Sequence, residues 1–197
     1  MVRILALVTC SFFMSVLLSG CVPESKTVID DQGARISSFD WNIPDSIPFP
    51  KVPANNPMTE EKFQLGRHLF YDKRLSSNGD ISCSSCHEQD KAFSDGITRA
   101  TGATGDVHPR NSQTLVNAAW YQTLTWGNPL LVTIEQQIML PLLGTDPIEH
   151  GINEANFEQI LQSIQADPVY SELFAAAFPQ QEDPLLGEQA WNNSIKS

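Results

Sequence analysis

The chain has 197 residues, with 12 Lys and Arg against 23 Asp and Glu, a formal net charge of −11 and a pI near 4.6. That balance argues against nucleic acid or an anionic lipid face as a partner, since both would be repelled. The length and a hydrophobic content of 41% suffice for one domain with its own core, and no internal repeat or low-complexity tract is present.

Residues Met1 to Gly20 carry one positive charge, Arg3, then an apolar run through Leu18. The run is too short and too soon interrupted for a membrane span, and reads as a secretory signal over 1–20. Leu18-Ser19-Gly20-Cys21 resembles a bacterial lipobox, in which Cys21 is lipidated and becomes the mature N-terminus. The other reading is an ordinary signal with an incidental cysteine. Cys10 leaves with the signal in either case. The expected location is the periplasm, with a lipid anchor to a bacterial membrane. Removing the signal takes away one basic residue and no acidic one, so the formal balance becomes −12. Such a surface would be steered towards a basic partner, small basic electron-carrier cytochromes among them.

Residues 21–57 read as an extended linker. Pro44, Pro48, Pro50, Pro53 and Pro57 prevent long regular structure. Phe39, Trp41 and Phe49 predict that parts of it pack on the domain that follows. That domain, 58–197, opens with Thr59 as a helix cap ahead of Glu60 and Glu61, favourable at the positive end of the helix dipole. Phe63, Leu65, Leu69 and Phe70 supply apolar positions through Tyr71.

Cys83-Ser84-Ser85-Cys86-His87 follows a cluster of turn residues. Two thiols at this spacing can each add to a haem vinyl group, and the next residue, an imidazole, can ligate the iron. Three readings compete. A zinc site needs four ligands, but His68, His108 and His150 are scattered and no second C-x-x-C exists. A thioredoxin-like pair would follow a strand, and no β-branched run precedes Cys83. A disulfide or free thiols would leave His87 unexplained. Covalent haem c is therefore expected, on Cys83 and Cys86 with His87 as axial ligand.

Further along, Thr133-Ile134-Glu135-Gln136 has the capping-box pattern of a helix start, with Pro141 expected to end that helix. Asn153 precedes Phe157, Ile160, Leu161 and Ile164, which fall on one helical face. Asp167-Pro168 predicts a cap and first position, with Tyr170, Leu173, Phe174 and Ala177 as the buried stripe and Pro179 as the stop. A last helix is expected from Asp183-Pro184 through Trp191 and Ile195. Long β alternation is absent. The expected fold is all-α, a cytochrome c-like haem domain with long ordered loops.

Leu65-Gly66-Arg67-His68-Leu69-Phe70-Tyr71-Asp72-Lys73-Arg74-Leu75-Ser76, followed by the cysteine pentapeptide, resembles the first haem domain of bacterial dihaem cytochrome c peroxidases and MauG-type enzymes. Ala92-Phe93-Ser94-Asp95-Gly96, Pro109-Arg110-Asn111-Ser112, Thr114-Leu115-Val116-Asn117-Ala118-Ala119, Leu124-Thr125-Trp126, Ile134-Glu135-Gln136-Gln137 and Pro147-Ile148-Glu149-His150-Gly151 match in order. Trp126-Gly127-Asn128-Pro129 departs from the usual Trp-Asp-Gly-Arg. It resembles a sub-branch that includes partner-oxidising enzymes of methanobactin-type operons.

The resemblance implies that His87 is the proximal ligand of the peroxide-reacting haem. Glu149 would be the distal acid–base group, Gln137 (or Gln136, one position away) a distal-pocket glutamine, and Trp126 the ring between two haems. Asn111 would contribute to an inter-domain calcium site, although one oxygen is far short of the six to eight that calcium takes. Many members hold a distal histidine before Pro-Arg-Asn. His108 directly precedes Pro109, several positions late, where others carry glycine, so a distal contact and a propionate-facing or loop position both stay open. His68 reads as structural and His150 as a pocket-rim residue.

The family carries a second C-x-x-C-H in a second domain, and this chain has one. The expectation is therefore a truncated half whose parent reduces hydrogen peroxide with electrons from a donor cytochrome or small redox protein, or oxidises a protein substrate. Alone it would be weak or inactive. The alternative is a monohaem c-type electron-transfer cytochrome with Met58 or Met139 as sixth ligand, although core packing suits Met139 better.

Overall fold

The structure, a computed structural model, describes residues 27–29, 35–37 and 39–197. The signal segment and Cys21 lie outside the described residues. Two three-residue strands, β1 (Thr27–Ile29) and β2 (Arg35–Ser37), pair antiparallel with Thr27 opposite Ser37. This small hairpin sits in the stretch expected to be irregular. Everything regular beyond it is helical: α1 (Glu60–Tyr71), α2 (Cys83–Cys86), α3 (Ile134–Leu143), α4 (Phe157–Gln165), α5 (Pro168–Ala177) and α6 (Gly187–Lys196), with short 3-10 turns between. The all-α expectation holds.

The starts of α1, α3 and α5 follow from local chemistry. The Thr59 hydroxyl accepts from the Lys62 N–H at 3.1 Å, with Glu60 and Glu61 in the first turn of α1. Thr133 and Gln136 close a reciprocal capping box on α3. Asp167 caps α5 by accepting from Val169 N–H at 3.1 Å, with Pro168 at the first position.

Two boundaries differ from expectation. Pro141 lies inside α3 rather than ending it. The helix runs on to Leu143 because other groups take its late carbonyls: His150 N–H bonds Pro141 O at 2.9 Å and Ile152 N–H bonds Leu142 O at 3.0 Å. The last helix begins at Gly187, not at Asp183. Asp183 and Pro184 belong to a turn that the buried Asn193 pins from inside the helix, through Nδ2 to Pro184 O at 2.8 Å.

The core lies where α1, α4, α5 and α6 meet. Leu65, Leu69, Leu161, Ile164, Tyr170, Phe174, Ala177 and Ala190 are buried in it, with Phe157, Ile160 and Leu173 packed at its edge. The predicted stripes of α4 and α5 are thus the core faces. Gly66 in α1 is a contact position, since a Cβ there would lie 2.5 Å from Ser197 O at the end of α6. A polar cluster ties the same helices together. Asp72 accepts from Arg74 Nη2 at 2.6 Å and from the Tyr170 hydroxyl at 2.7 Å, and Arg74 also reaches Asp167 at 3.1 Å. Burial alone would raise the Asp72 pKa, but the Arg74 and Tyr170 hydrogen bonds outweigh it and hold the carboxyl below its usual value.

Residues 39–57 pack on the domain as Phe39 and Trp41 predict. The Phe39 ring meets Trp41 at 5.1 Å and Phe63 of α1 at 5.3 Å, which is why Phe63 faces the linker instead of the core. Trp120 Nε1 donates to Pro48 O at 2.7 Å, and Asn56 Nδ2 donates to Glu135 Oε1 at 2.9 Å. Phe49 stays exposed.

Candidate haem-binding site

Cys83 and Cys86 form the two ends of α2, a single turn packed against α1. The intervening serines turn back to the start of this helix: Ser85 Oγ accepts from Ser82 N–H at 3.0 Å, and Ser84 Oγ lies 2.8 Å from Ser82 Oγ. Both cysteines are free of any disulfide. Burial pushes the Cys83 thiol up to about 11, with the nearby Cys86 and Glu149 adding to the rise. Cys86 is raised in the same way, first by burial and then by Glu149 and Asp95.

His87 follows directly, its N–H continuing the helix to Cys83 O at 3.0 Å. Its Nδ1 lies 2.9 Å from Phe93 O. A carbonyl oxygen only accepts, so Nδ1 carries the proton and Nε2 keeps a lone pair for a metal. The carbonyl is aimed by two non-glycine residues in the left-handed region, Ala92 (φ 55°) and Phe93 (φ 56°). That turn is held by Phe93 N–H to Glu88 O and Glu88 N–H to Ser94 O, at 2.9 and 3.0 Å. Behind it the buried Asp95 accepts from Ser112 N–H at 3.1 Å, and Ser94 Oγ donates to Ser112 O at 2.7 Å. Asp95 and Ser112 are framework residues that periodicity cannot find, because their partners lie across a loop.

Two free thiols on one helical turn, next to an imidazole with the correct tautomer and an open nitrogen, fit a covalently attached c-type haem. Among the described residues no group of three or more His, Cys, Asp and Glu side chains is placed to hold a metal ion by itself.

The other predicted residues fall into three groups. Glu149 is brought to the same site: its carboxylate raises both thiols, and its Oε1 lies 3.6 Å from His108 Nδ1. His108 is 12% exposed in its side chain, and its Nε2 is buried without a hydrogen-bond partner. Of the two glutamines, Gln136 is committed to the capping box, its Oε1 accepting from Val132 and Thr133 N–H. Gln137 sits one position on, half-buried in α3.

Trp126 is 50% exposed at the tip of the Leu124–Asn128 loop, with the Arg110 guanidinium 4.7 Å from its ring centroid. Thr125, Trp126 and Gly127 are all at positive φ (47°, 55° and 82°). Asn111 bonds Ser112 O through Nδ2 at 3.3 Å, leaving its carbonyl oxygen as one donor.

The remaining histidines have backbone partners. His150 is buried with Nδ1 on Leu75 O, and burial lowers its pKa. It therefore belongs to the framework rather than the pocket rim. His68 Nδ1 donates to Gln64 O on the exposed face of α1.

With this geometry in place, the sequence profile of the di-haem cytochrome c peroxidases matches residues 60–196. The chain belongs to that family. It is 34% identical over 139 residues to the methylamine utilization protein MauG of Methylorubrum extorquens, covering 71% of this chain and 37% of that protein. It is 44% identical over 167 residues to the cytochrome-c peroxidase IdrP1 of Denitromonas iodatirespirans, covering 83% and 44%. Among solved structures, a MauG-like protein associated with microbial copper homeostasis superposes with a TM-score of 0.76 at 50% identity, over 81% of this chain and 45% of that one. The chain thus spans less than half the length of these relatives. Membership in this family implies c-type haem, and the residues at α2 fit it. Among the described residues no helix is long and apolar enough to cross a membrane.

Proposed function

We propose that this chain is the peroxide-side haem domain of a dihaem cytochrome c peroxidase-like oxidoreductase, exported to the periplasm and anchored by lipid at Cys21. In this reading Cys83 and Cys86 hold the haem by thioether bonds and His87 Nε2 ligates its iron. The observation that carries it is the His87 Nδ1 to Phe93 O bond beside two free thiols on one turn. When bound, the haem supplies the redox chemistry that splits the O–O bond of hydrogen peroxide.

The protein's own groups handle the protons. Glu149 takes a proton from the peroxide oxygen nearer the iron and returns it to the departing oxygen, so that the leaving group is water rather than hydroxide. Gln137, whose amide both donates and accepts, orients the peroxide. Trp126 would be the ring between this haem and a second one carried by a further domain, and its exposure suits a ring placed at a boundary. Ile97, Val107, Leu115, Val116, Leu130 and Val132 are likewise exposed. This density of apolar surface supports cover by haem and a second domain. Asn111 offers one oxygen to calcium at that boundary.

The electrons come from a donor cytochrome or small redox protein, or from a protein side chain that is oxidised. Half-identity to a MauG-like protein associated with microbial copper homeostasis supports placing the chain among the MauG-like members of the family.

The test is the full chain matured with covalent haem. The expected result is a thioether-bound haem whose ferric spectrum is high-spin and changes on adding peroxide, with Glu149→Gln slowing that change about 100-fold. Low-spin His/Met haem that ignores peroxide and cyanide would overturn the reading in favour of a monohaem electron carrier.

A further inference from the structure

Glu149 and His108 are joined through their backbones as well as their side chains. The loop 100–110 closes on itself through His108 N–H to Ala100 O at 2.9 Å, Ala100 N–H to Arg110 O at 3.2 Å and Gly102 N–H to Asp106 O at 2.9 Å. That loop is then fixed to the Glu149 segment. Ala103 N–H donates to Glu149 O at 2.7 Å, and the Asp106 carboxylate accepts from Ile148 N–H at 3.1 Å. Gly102 permits the contact: a Cβ there would lie 1.9 Å from Ile148 O and 3.0 Å from Glu149 Cα. No side chain but hydrogen fits that gap.

The consequence is a single rigid piece that presents two side chains at one edge. His108 Nδ1 faces Glu149 Oε1 at 3.6 Å, while Nε2 is buried with no partner. A carboxylate on a long, flexible side chain, 45% exposed, would otherwise sample several rotamers. A nearby imidazole narrows that set, and a buried ring nitrogen without a partner calls for a polar group to meet it.

We propose that His108 is a positioning residue for Glu149, holding its carboxylate over the haem site, with Nε2 directed to the same pocket. This rests on Glu149 being the proton-handling group. It differs from an iron-ligand role, in which Nε2 would be spent on the metal.

The experiment uses the haem-loaded full chain and four variants: Glu149→Gln, His108→Phe, His108→Asn and the Glu149→Gln/His108→Phe double. Phenylalanine keeps the ring volume without its nitrogens. Asparagine restores an N–H near the position of Nδ1. Two measurements are made: the rate of the peroxide-induced spectral change, and the infrared C–O stretch of the ferrous carbonyl complex, which reports the electrostatics above the iron.

His108→Phe should slow the peroxide step about tenfold and shift the C–O band, with His108→Asn recovering most of both. The double variant should be no slower than Glu149→Gln alone, because the two groups act as one unit. Multiplying effects in the double variant would overturn the proposal. So would a His108→Phe protein that reacts and absorbs like wild type while Glu149→Gln is slow, and the function proposed above would survive that outcome. If Glu149→Gln itself reacts like wild type, the assignment of Glu149 fails first. A wild-type ferric haem that is low-spin and turns high-spin in both His108 variants would make His108 a ligand and also overturn the proposal.

Discussion

His87 depends on a single carbonyl, and that carbonyl depends on two residues held where side chains are disfavoured. Ala92 and Phe93 at φ 55° and 56° each cost on the order of 1 kcal/mol. Ala92→Gly should therefore stabilise the fold by about 0.5–1 kcal/mol and leave the His87 bond intact. Ala92→Val should lower the melting temperature and weaken axial ligation, read as a change in ferric spin state. The Cys83 thiol gives a pH prediction of definite sign. Its folded pKa, about 11, lies above the ordinary value of 9.0. The protonated form is the one the fold favours, so this contribution is fully present below pH 9 and is lost as pH rises through 11. In the haem-free chain, alkylation of Cys83 near neutral pH should run ~100-fold slower than for a free thiol, accelerating as pH approaches 11. Equal rates for Cys83 and a model thiol at pH 8 would contradict the burial seen here.

At the scale of elements, the starts of α1, α3 and α5 were legible because caps are local. Thr59, Thr133 and Asp167 each bond a backbone N–H within three residues. Thr133→Ala should cost about 1 kcal/mol in thermal or denaturant unfolding, because it opens the capping box of α3. Its effect on the site should be indirect, through the turn that presents Gln137. Helix ends were less legible. Pro141 reads as a stop in sequence, yet the carbonyls beyond it find donors in His150 and Ile152, which only the folded chain brings near. The same logic separates Gln136 from Gln137. Spacing left them one residue apart, and the capping hydrogen bonds of Gln136 make Gln137 the one proposed to orient the peroxide.

Across the whole molecule, α1, α4, α5 and α6 pack a core without any cofactor, while the segment from 97 to 143 keeps many apolar side chains at its surface. Phe174, fully buried at the centre of that core, sets its stability: Phe174→Ala should cost about 3–5 kcal/mol by denaturant unfolding. Asp72 links α1 to α5 through Arg74 and Tyr170. Its lowered pKa adds stability that is present above the usual carboxylate range and lost as pH falls below it. Asp72→Asn should therefore cost roughly 2 kcal/mol near neutral pH and flatten the acid limb of the stability curve.

What the sequence determined by itself was whatever depends on neighbours along the chain. The Cys83–His87 spacing, the helix caps, the 3.6-residue stripes of α4 and α5 and the ordered family motifs are all of this kind. Tertiary structure decided what depends on chain segments meeting. It selected the His87 tautomer through Phe93, placed His150 in the framework through Leu75, and set His108 against Glu149, 41 residues away, through a glycine whose missing Cβ lets two loops touch. The physical reason is range: a cap or a stripe acts over a few residues, whereas a hydrogen bond across loops exists only after the core has brought them together.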